Sequence, residues 1–302
     1  MITVIATWIN HPEVLKEHKD MWVKVFNDRV RYVAYIDAKN HSDFSNFGDA
    51  SVREQLVKVC IDNDIDYVIV PQNYHMMRRS VFGDNCIFEA DQNPSGRDSL
   101  VCQYAWNKEV LEGGCERIIL VQSDIFPYRR MSWSDFTHGS QFYFKMQTRK
   151  NGFLKLDYAW EGLCAFDMGT WSDHMKRLVD FEYGLQKAVY TDTGGGLWKI
   201  MEALTDDKKY NWTGLDSLQW SSQDSVPELP FWVTEHLRKD PRNSVEADGT
   251  ISYYSEIQDD RCFHLRAGGN WDNAGKEVHD KRYSNFLKLL KDAIVDGSVF
   301  LS

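Results

Sequence analysis

The sequence predicts an α/β protein, a parallel or mixed central sheet with helices on both faces, folded as one domain. Three observations carry this expectation. The first half alternates short β-branched runs with longer stretches of helical periodicity. Residues 118–121 (IILV) form an unbroken apolar run too short for a helix, the pattern of a strand covered on both sides. No repeat, low-complexity tract or flexible linker divides the 302 residues, so both halves are expected to share one continuous sheet.

Taken in order, residues 2–9 (ITVIATWI) read as the first strand. Pro12 suits the first turn of a helix reaching about Asp28, with Val14, Leu15, Trp22, Val23 and Phe26 as its buried stripe. Residues 30–36 are a second strand with Asp37 at its end; a polar loop, a helix over 50–63 and a third strand over 67–70 follow. An irregular stretch with Met76, Met77, Arg78 and Arg79 runs to Pro94. Asp98 or Ser95 caps the next helix, Leu100, Tyr104, Val110 and Leu111 give it an apolar face, and Gly113-Gly114 stops it. The 118–121 strand then delivers Gln122-Ser123-Asp124. A carboxylate there stands at the strand's C-terminal end, where open α/β sheets bind ligands. The alternative is a capping acid in an ordinary loop.

Beyond Asp124 the alternation changes. Residues 141–148 and 158–166 read as strands, 170–181 as a helix, and Val189-Tyr190 leads into Thr191-Asp192-Thr193 and a helix to about Leu204. Residues 205–260 are weakly patterned and rich in Trp, Asp and Ser. A short strand over 262–265 and an amphipathic helix over 283–295, with Phe286, Leu287, Leu290 and Ile294 inside, close the chain.

A net charge of -10 argues against nucleic acid or an anionic membrane as the main partner. The six cysteines are scattered without a C-x-x-C pair, which points to buried thiols in a reducing compartment rather than to zinc or disulfides. The first residues lack a basic region and a long apolar run, so neither a signal peptide nor a membrane span is expected, and a cytoplasmic location is. No G-x-G-x-x-G follows the first strand, which disfavours a dinucleotide-dependent oxidoreductase.

Asp124 suits Mn²⁺ or Mg²⁺, hard ions that take carboxylate and phosphate oxygens and so bridge a protein to a diphosphate. Four local features, in order, resemble the GT-A fold of glycosyltransferases: Gln122-Ser123-Asp124 as the D-x-D-like element, Trp160-Glu161-Gly162 as an acceptor loop, Asp192 in VYTDTGGGLW, and His264 in CFHLRAGGNWD. The resemblance covers about residues 2–270 and names no particular family within that fold. It implies a transferase moving a sugar from a nucleoside-diphosphate donor to a glycan or other hydroxyl acceptor. Residues 1–130 would form the donor-binding half and 131–302 the acceptor half. Asp124 and His264 would hold the metal, and Asp192 would be the catalytic base, with Glu161 its rival. Thr7, Asp37, Arg97, Asn107, Gln122, Ser123 and Arg266 would line the donor pocket, with Ala267-Gly268-Gly269 letting backbone approach the ligand. Trp160 and Gly162 would meet the acceptor. Gln122 departs from the pattern, since an amide stands where a first carboxylate is expected. That departure keeps open a non-catalytic sugar- or nucleotide-binding relative. A sugar nucleotidyltransferase is a further alternative, opposed by the lack of a Gly-rich, basic loop in TWINHPEV.

Overall fold

In the computed structural model the described residues are 1–37, 50–71, 74, 94–207, 209–215, 218–224, 228–266 and 275–301. Met76, Met77, Arg78, Arg79, Cys86, Ala267, Gly268, Gly269 and Trp271 lie outside them.

β1 (Ile2–Trp8) is buried throughout. A 3-10 turn at Pro12–Val14 opens α1 (Leu15–Lys24), whose Leu15, His18, Met21 and Trp22 share one inward face. β2 (Val30–Asp37), α2 (Ala50–Asp62), β3 (Asp66–Val70) and α3 (Pro94–Trp106) follow, α3 running on as a π-helical segment, Asn107–Glu112. Gly114, at φ +68, closes it, donating its N–H to the Val110 carbonyl while Cys115 donates to that of Glu109. Then come β4 (Arg117–Gln122), β5 (Ile125–Pro127), α4 (Trp133–Thr137), β6 (Phe142–Asn151), β7 (Leu154–Asp167) and α5 (Asp173–Arg177). The chain continues through β8 (Gly184–Gln186), β9 (Val189–Thr191), α6 (Trp198–Asp206), β10 (Trp212–Leu215), β11 (Leu218–Ser221) and α7 (Phe231–Lys239). It ends in β12 (Ser244–Val245), β13 (Ile251–Gln258), β14 (Cys262–His264) and α8 (Lys276–Asp296).

These elements make a mixed α/β fold around a central mixed sheet. Seven strands run in the order β10-β6-β7-β4-β1-β2-β3. β4, β1, β2 and β3 are parallel, β7 is antiparallel to β4 and to β6, and β10 is parallel to β6. Ile2, Val4, Ala6 and Trp8 enter one core and Ile5 the other, so apolar layers cover both faces, as the IILV run requires. A second sheet, β11-β13-β14-β5 with β12 on β13, is antiparallel. The sequence foreshadowed only its β14, over 262–265, because most of its other strands lie in the weakly patterned 205–260 region.

Two local expectations change. The helix expected over 170–181 is only α5, capped by Ser172 accepting from the Met175 N–H. Its continuation is drawn off: Phe181 donates its N–H to the Gln103 side chain and accepts from Gly194 N–H. Asp192 does not open a helix. Gly194 takes φ +81, Gly195–Leu197 form a 3-10 turn, and α6 begins at Trp198.

Candidate active site

The C-terminal ends of β1 and β4 lie side by side, with Thr7 in register with Gln122. Beyond Gln122 the chain turns through Ser123-Asp124 and enters β5, passing from the large sheet to the small one. β5 pairs with β14 so that Ile125 faces His264, and Leu265 N–H donates to the Asp124 carbonyl. This pairing brings His264 Nε2 to 3.7 Å from Asp124 Oδ2. From below, His18 on α1 packs its ring against the backbone of Gln122 and Ile125 and bonds the Tyr32 hydroxyl through Nδ1, at 2.9 Å. Burial holds His18 neutral, its pKa lowered to about 3.

His264 Nδ1 lies 3.1 Å from Glu256 Oε2, and Lys145 Nζ donates to the same oxygen at 2.7 Å. Burial raises the Glu256 pKa, yet His264 and Lys145 outweigh it and bring it to about 2. Burial disfavours charge on His264, but Asp124 and then Glu256 overcome it, so its pKa lies above the ordinary histidine value. Lys145 also sits 4.4 Å from the centre of the Trp160 ring, and that ring lies 5.2 Å from the imidazole of His264. Arg266 Nε approaches Glu256 Oε1 at 4.0 Å with 42% of its side chain exposed.

A second cluster stands beside the first. Between Lys145 and Phe144, β6 advances one residue while β7 advances four, from Trp160 to Cys164, so β7 carries a bulge holding Glu161, Gly162 and Leu163. The bulge lies where β4 ends, and it turns Glu161 inward to 1% exposure. Gln122 Nε2 donates to Glu161 Oε1 at 3.0 Å and to Asp98 Oδ2 at 2.6 Å. One amide nitrogen thus holds Asp98 and Glu161 together, with Thr7 in register with Gln122 beside them. Burial, then the neighbouring acids, pushes the Glu161 pKa well up; burial also raises that of Asp98. Gly162 leaves room for the folded-back Trp160 ring, since a Cβ there would stand 2.1 Å from it. Gly194 lets its loop close over Glu161; a Cβ would meet the Ala159 carbonyl at 2.6 Å and Glu161 Oε2 at 3.1 Å.

Asp192 lies just outside this cluster, 33% exposed, with Arg149 3.6 Å away and its N–H bonded to the Tyr158 hydroxyl. The structure therefore gathers Asp124, His264, Trp160, Gly162 and Arg266 on one side and Thr7, Gln122 and Glu161 on the other, with Ser123 in the turn and Asp192 at the rim. Asp37 and Arg97 are ion-paired to each other at 2.5 Å, both buried. Asn107 is engaged with Gln103 and the Tyr74 hydroxyl, apart from these groups. Sequence reasoning missed Asp98, Lys145 and Glu256. A lysine within the aromatic run QFYFKM and a glutamate within ISYYSEI were the signals, since a charge inside an apolar strand must find a partner. Asp98 was read as a cap, and it is instead a side-chain partner of Gln122.

The residues present fit a divalent cation. Among the described residues no three His, Cys, Asp or Glu stand together as a complete cage. Two protein ligands with remaining positions left to phosphate and water is how such ions sit on nucleotide substrates. A ligating imidazole ordinarily gives its other ring nitrogen to a carboxylate, and Glu256 is placed for that.

The class defined by this geometry is a mixed α/β protein with a cluster of polar side chains at the strand ends of its central sheet. No protein-family model matches the chain, and no curated protein matches it. Among solved structures, one similar chain is core-mannan synthase A (CmsA/Ktr4) from Aspergillus fumigatus in its Mn/GDP form: TM-score 0.34, 9% identity, covering 66% of each chain. Another is the mannosyltransferase Ktr4p from S. cerevisiae in complex with GDP: TM-score 0.27, 9% identity, covering 49% of this chain and 41% of that one. The chain thus spans less than two thirds of either neighbour's length. No helix among the described residues is long and apolar enough to cross a membrane.

Proposed function

We propose that the protein is a glycosyltransferase that takes a sugar from a nucleoside-diphosphate donor to an acceptor hydroxyl with the help of Mn²⁺ or Mg²⁺. The observation that carries this reading is the facing pair Asp124 and His264 at the end of β4, with Glu256 orienting the imidazole. In this reading Asp124 and His264 hold the cation, which supplies charge stabilisation to the departing diphosphate. Arg266 reaches the phosphates from the far side with its guanidinium. Asp192, the more exposed of the two rival acids, takes the proton of the acceptor hydroxyl as that oxygen attacks the anomeric carbon. Glu161 is too deeply enclosed for that role. Trp160 floors the cleft between Lys145 and His264 and offers its edge to the acceptor. Residues 1–130 form the donor-binding half and 131–302 the acceptor half, from which His264 and Arg266 reach back to the donor's diphosphate.

Thermal melting with UDP and GDP, with and without Mn²⁺, tests it. Ligand binding to the folded state raises the midpoint by mass action. A metal-dependent rise lost in Asp124→Ala and His264→Ala is expected; no rise with any nucleoside diphosphate refutes the reading. Release of nucleoside diphosphate from a donor panel should fall about 10²-fold or more in Asp192→Ala. One observation favours a non-catalytic relative: Gln122 adds no charge to the cleft and is occupied by Asp98 and Glu161. Binding without turnover would select that alternative.

A further inference from the structure

Gln122 reads in the sequence as a lost carboxylate, but its surroundings give it work of its own. Its amide carries two donors, and the structure spends both on carboxyl oxygens from different elements, Asp98 of α3 at 2.6 Å and Glu161 of the β7 bulge at 3.0 Å. Both acids therefore crowd one nitrogen, with Glu161 itself buried. Two ionised carboxylates held at one amide repel each other, and a proton on one of them relieves that repulsion. The charged groups facing the cluster point the same way. Among the described residues Asp124 acts on Asp98 and Asp192 acts on Glu161, with the Cys102 and Cys164 thiols alongside, so the charged side chains that act on the pair are acids. Arg149 faces Asp192 at the rim, and Arg97, next to Asp98 in sequence, is ion-paired with Asp37.

We propose that Gln122 is a positioning residue, its amide clamping Asp98 and Glu161 while those two carboxyls share a single proton. The clamp joins four elements: α3, the end of β4 two residues before Asp124, the β7 bulge that follows Trp160, and through Glu161 the Gly194 loop that carries Asp192. Both sides of the cleft are thereby referenced to one amide. A carboxylate at position 122, though it would restore the acidic pattern, puts a third acid where the site tolerates one negative charge.

Melting and infrared spectroscopy of the full chain test this without any substrate, so the outcome is independent of whether the protein transfers sugars. At neutral pH the wild type should show the absorption of a buried protonated carboxyl, lost in Glu161→Gln. Its Tm should decline as pH rises above the ordinary carboxylate range, because the folded acids hold their proton more tightly than the unfolded ones, and Glu161→Gln should flatten that decline. Gln122→Glu should lower Tm by on the order of 5 °C or more. The double variant Gln122→Glu/Glu161→Gln exchanges amide and acid and should recover most of that loss. This swap also decides the case if Gln122→Glu alone fails to fold. No protonated-carboxyl band in the wild type, a Gln122→Glu protein that melts as high as the wild type, or a double variant no better than Gln122→Glu would each overturn the proposal.

Discussion

At the scale of single residues, the cleft depends on side chains that cannot be enlarged and on one that cannot be charged. Gly162 is the sharpest case. A Cβ 2.1 Å from the Trp160 ring forces the indole away from Lys145 and His264. Gly162→Ala should therefore cost about 1–3 kcal/mol in urea unfolding and shift tryptophan fluorescence as the ring leaves its seat. His18 gives a prediction in pH. Its ordinary pKa is near 6.5 and its folded value is about 3, so the unfolded chain binds the extra proton between those limits. Stability from this group is present above the unfolded value and is lost as pH falls toward 3. Asp240, bonded to Arg282 at 2.7 Å, has its carboxyl held well below the usual range, because His236 and Arg282 outweigh the effect of burial. It adds a loss at still lower pH with the same sign. Acid titration of Tm should steepen below about pH 6.5 in the wild type and be shallower in His18→Gln.

At the scale of elements, the first half was legible because its physics is periodic. β1, β2, α2, β3, α3 and β4 fall close to where apolar runs, capping and glycine stops place them; β1 and β4, buried and parallel, show why, since such strands must be apolar. The acidic strand end at Asp124 was legible for the same reason. The second half was harder. β11 and β12 hold four and two residues, too few for a period to show, whereas β14 falls within the strand expected over 262–265. The sheet also depends on a distant partner, since β14 pairs with β5 from the first half of the chain. The β7 bulge was equally hidden, because an alternating pattern continues through Trp160, Gly162 and Cys164 while the backbone does not keep register. That is why Glu161 read as a rival base in an open loop, whereas the structure buries it against Gln122. Gly194 makes the element-scale prediction: with φ +81 and the Ala159 carbonyl 2.6 Å from any Cβ, Gly194→Ala should loosen the loop over Glu161. Hydrogen exchange should rise in residues around 191–197 before the sheet is affected.

At the scale of the whole molecule, two sheets meet across a buried ion pair. Lys145 belongs to the seven-stranded sheet and Glu256 to the five-stranded one, with 9% and 7% of their side chains exposed. Lys145→Met leaves Glu256 with less compensation and should cost roughly 3–5 kcal/mol by denaturant unfolding, while Lys145→Met/Glu256→Leu should recover part of it. The pairing of β5 with β14 has a different consequence. Asp124 adjoins Ile125, Ile125 faces His264, and the main-chain ladder alone sets how far apart the two side chains begin. Their spacing is thus a matter of counting residues and is insulated from changes in the surrounding core. Substitutions nearby can tilt the imidazole, but a single inserted residue between 125 and 127 or between 262 and 264 would turn one partner to the opposite side of its strand. Drift by substitution is tolerable at this place in the chain, and drift by length is not.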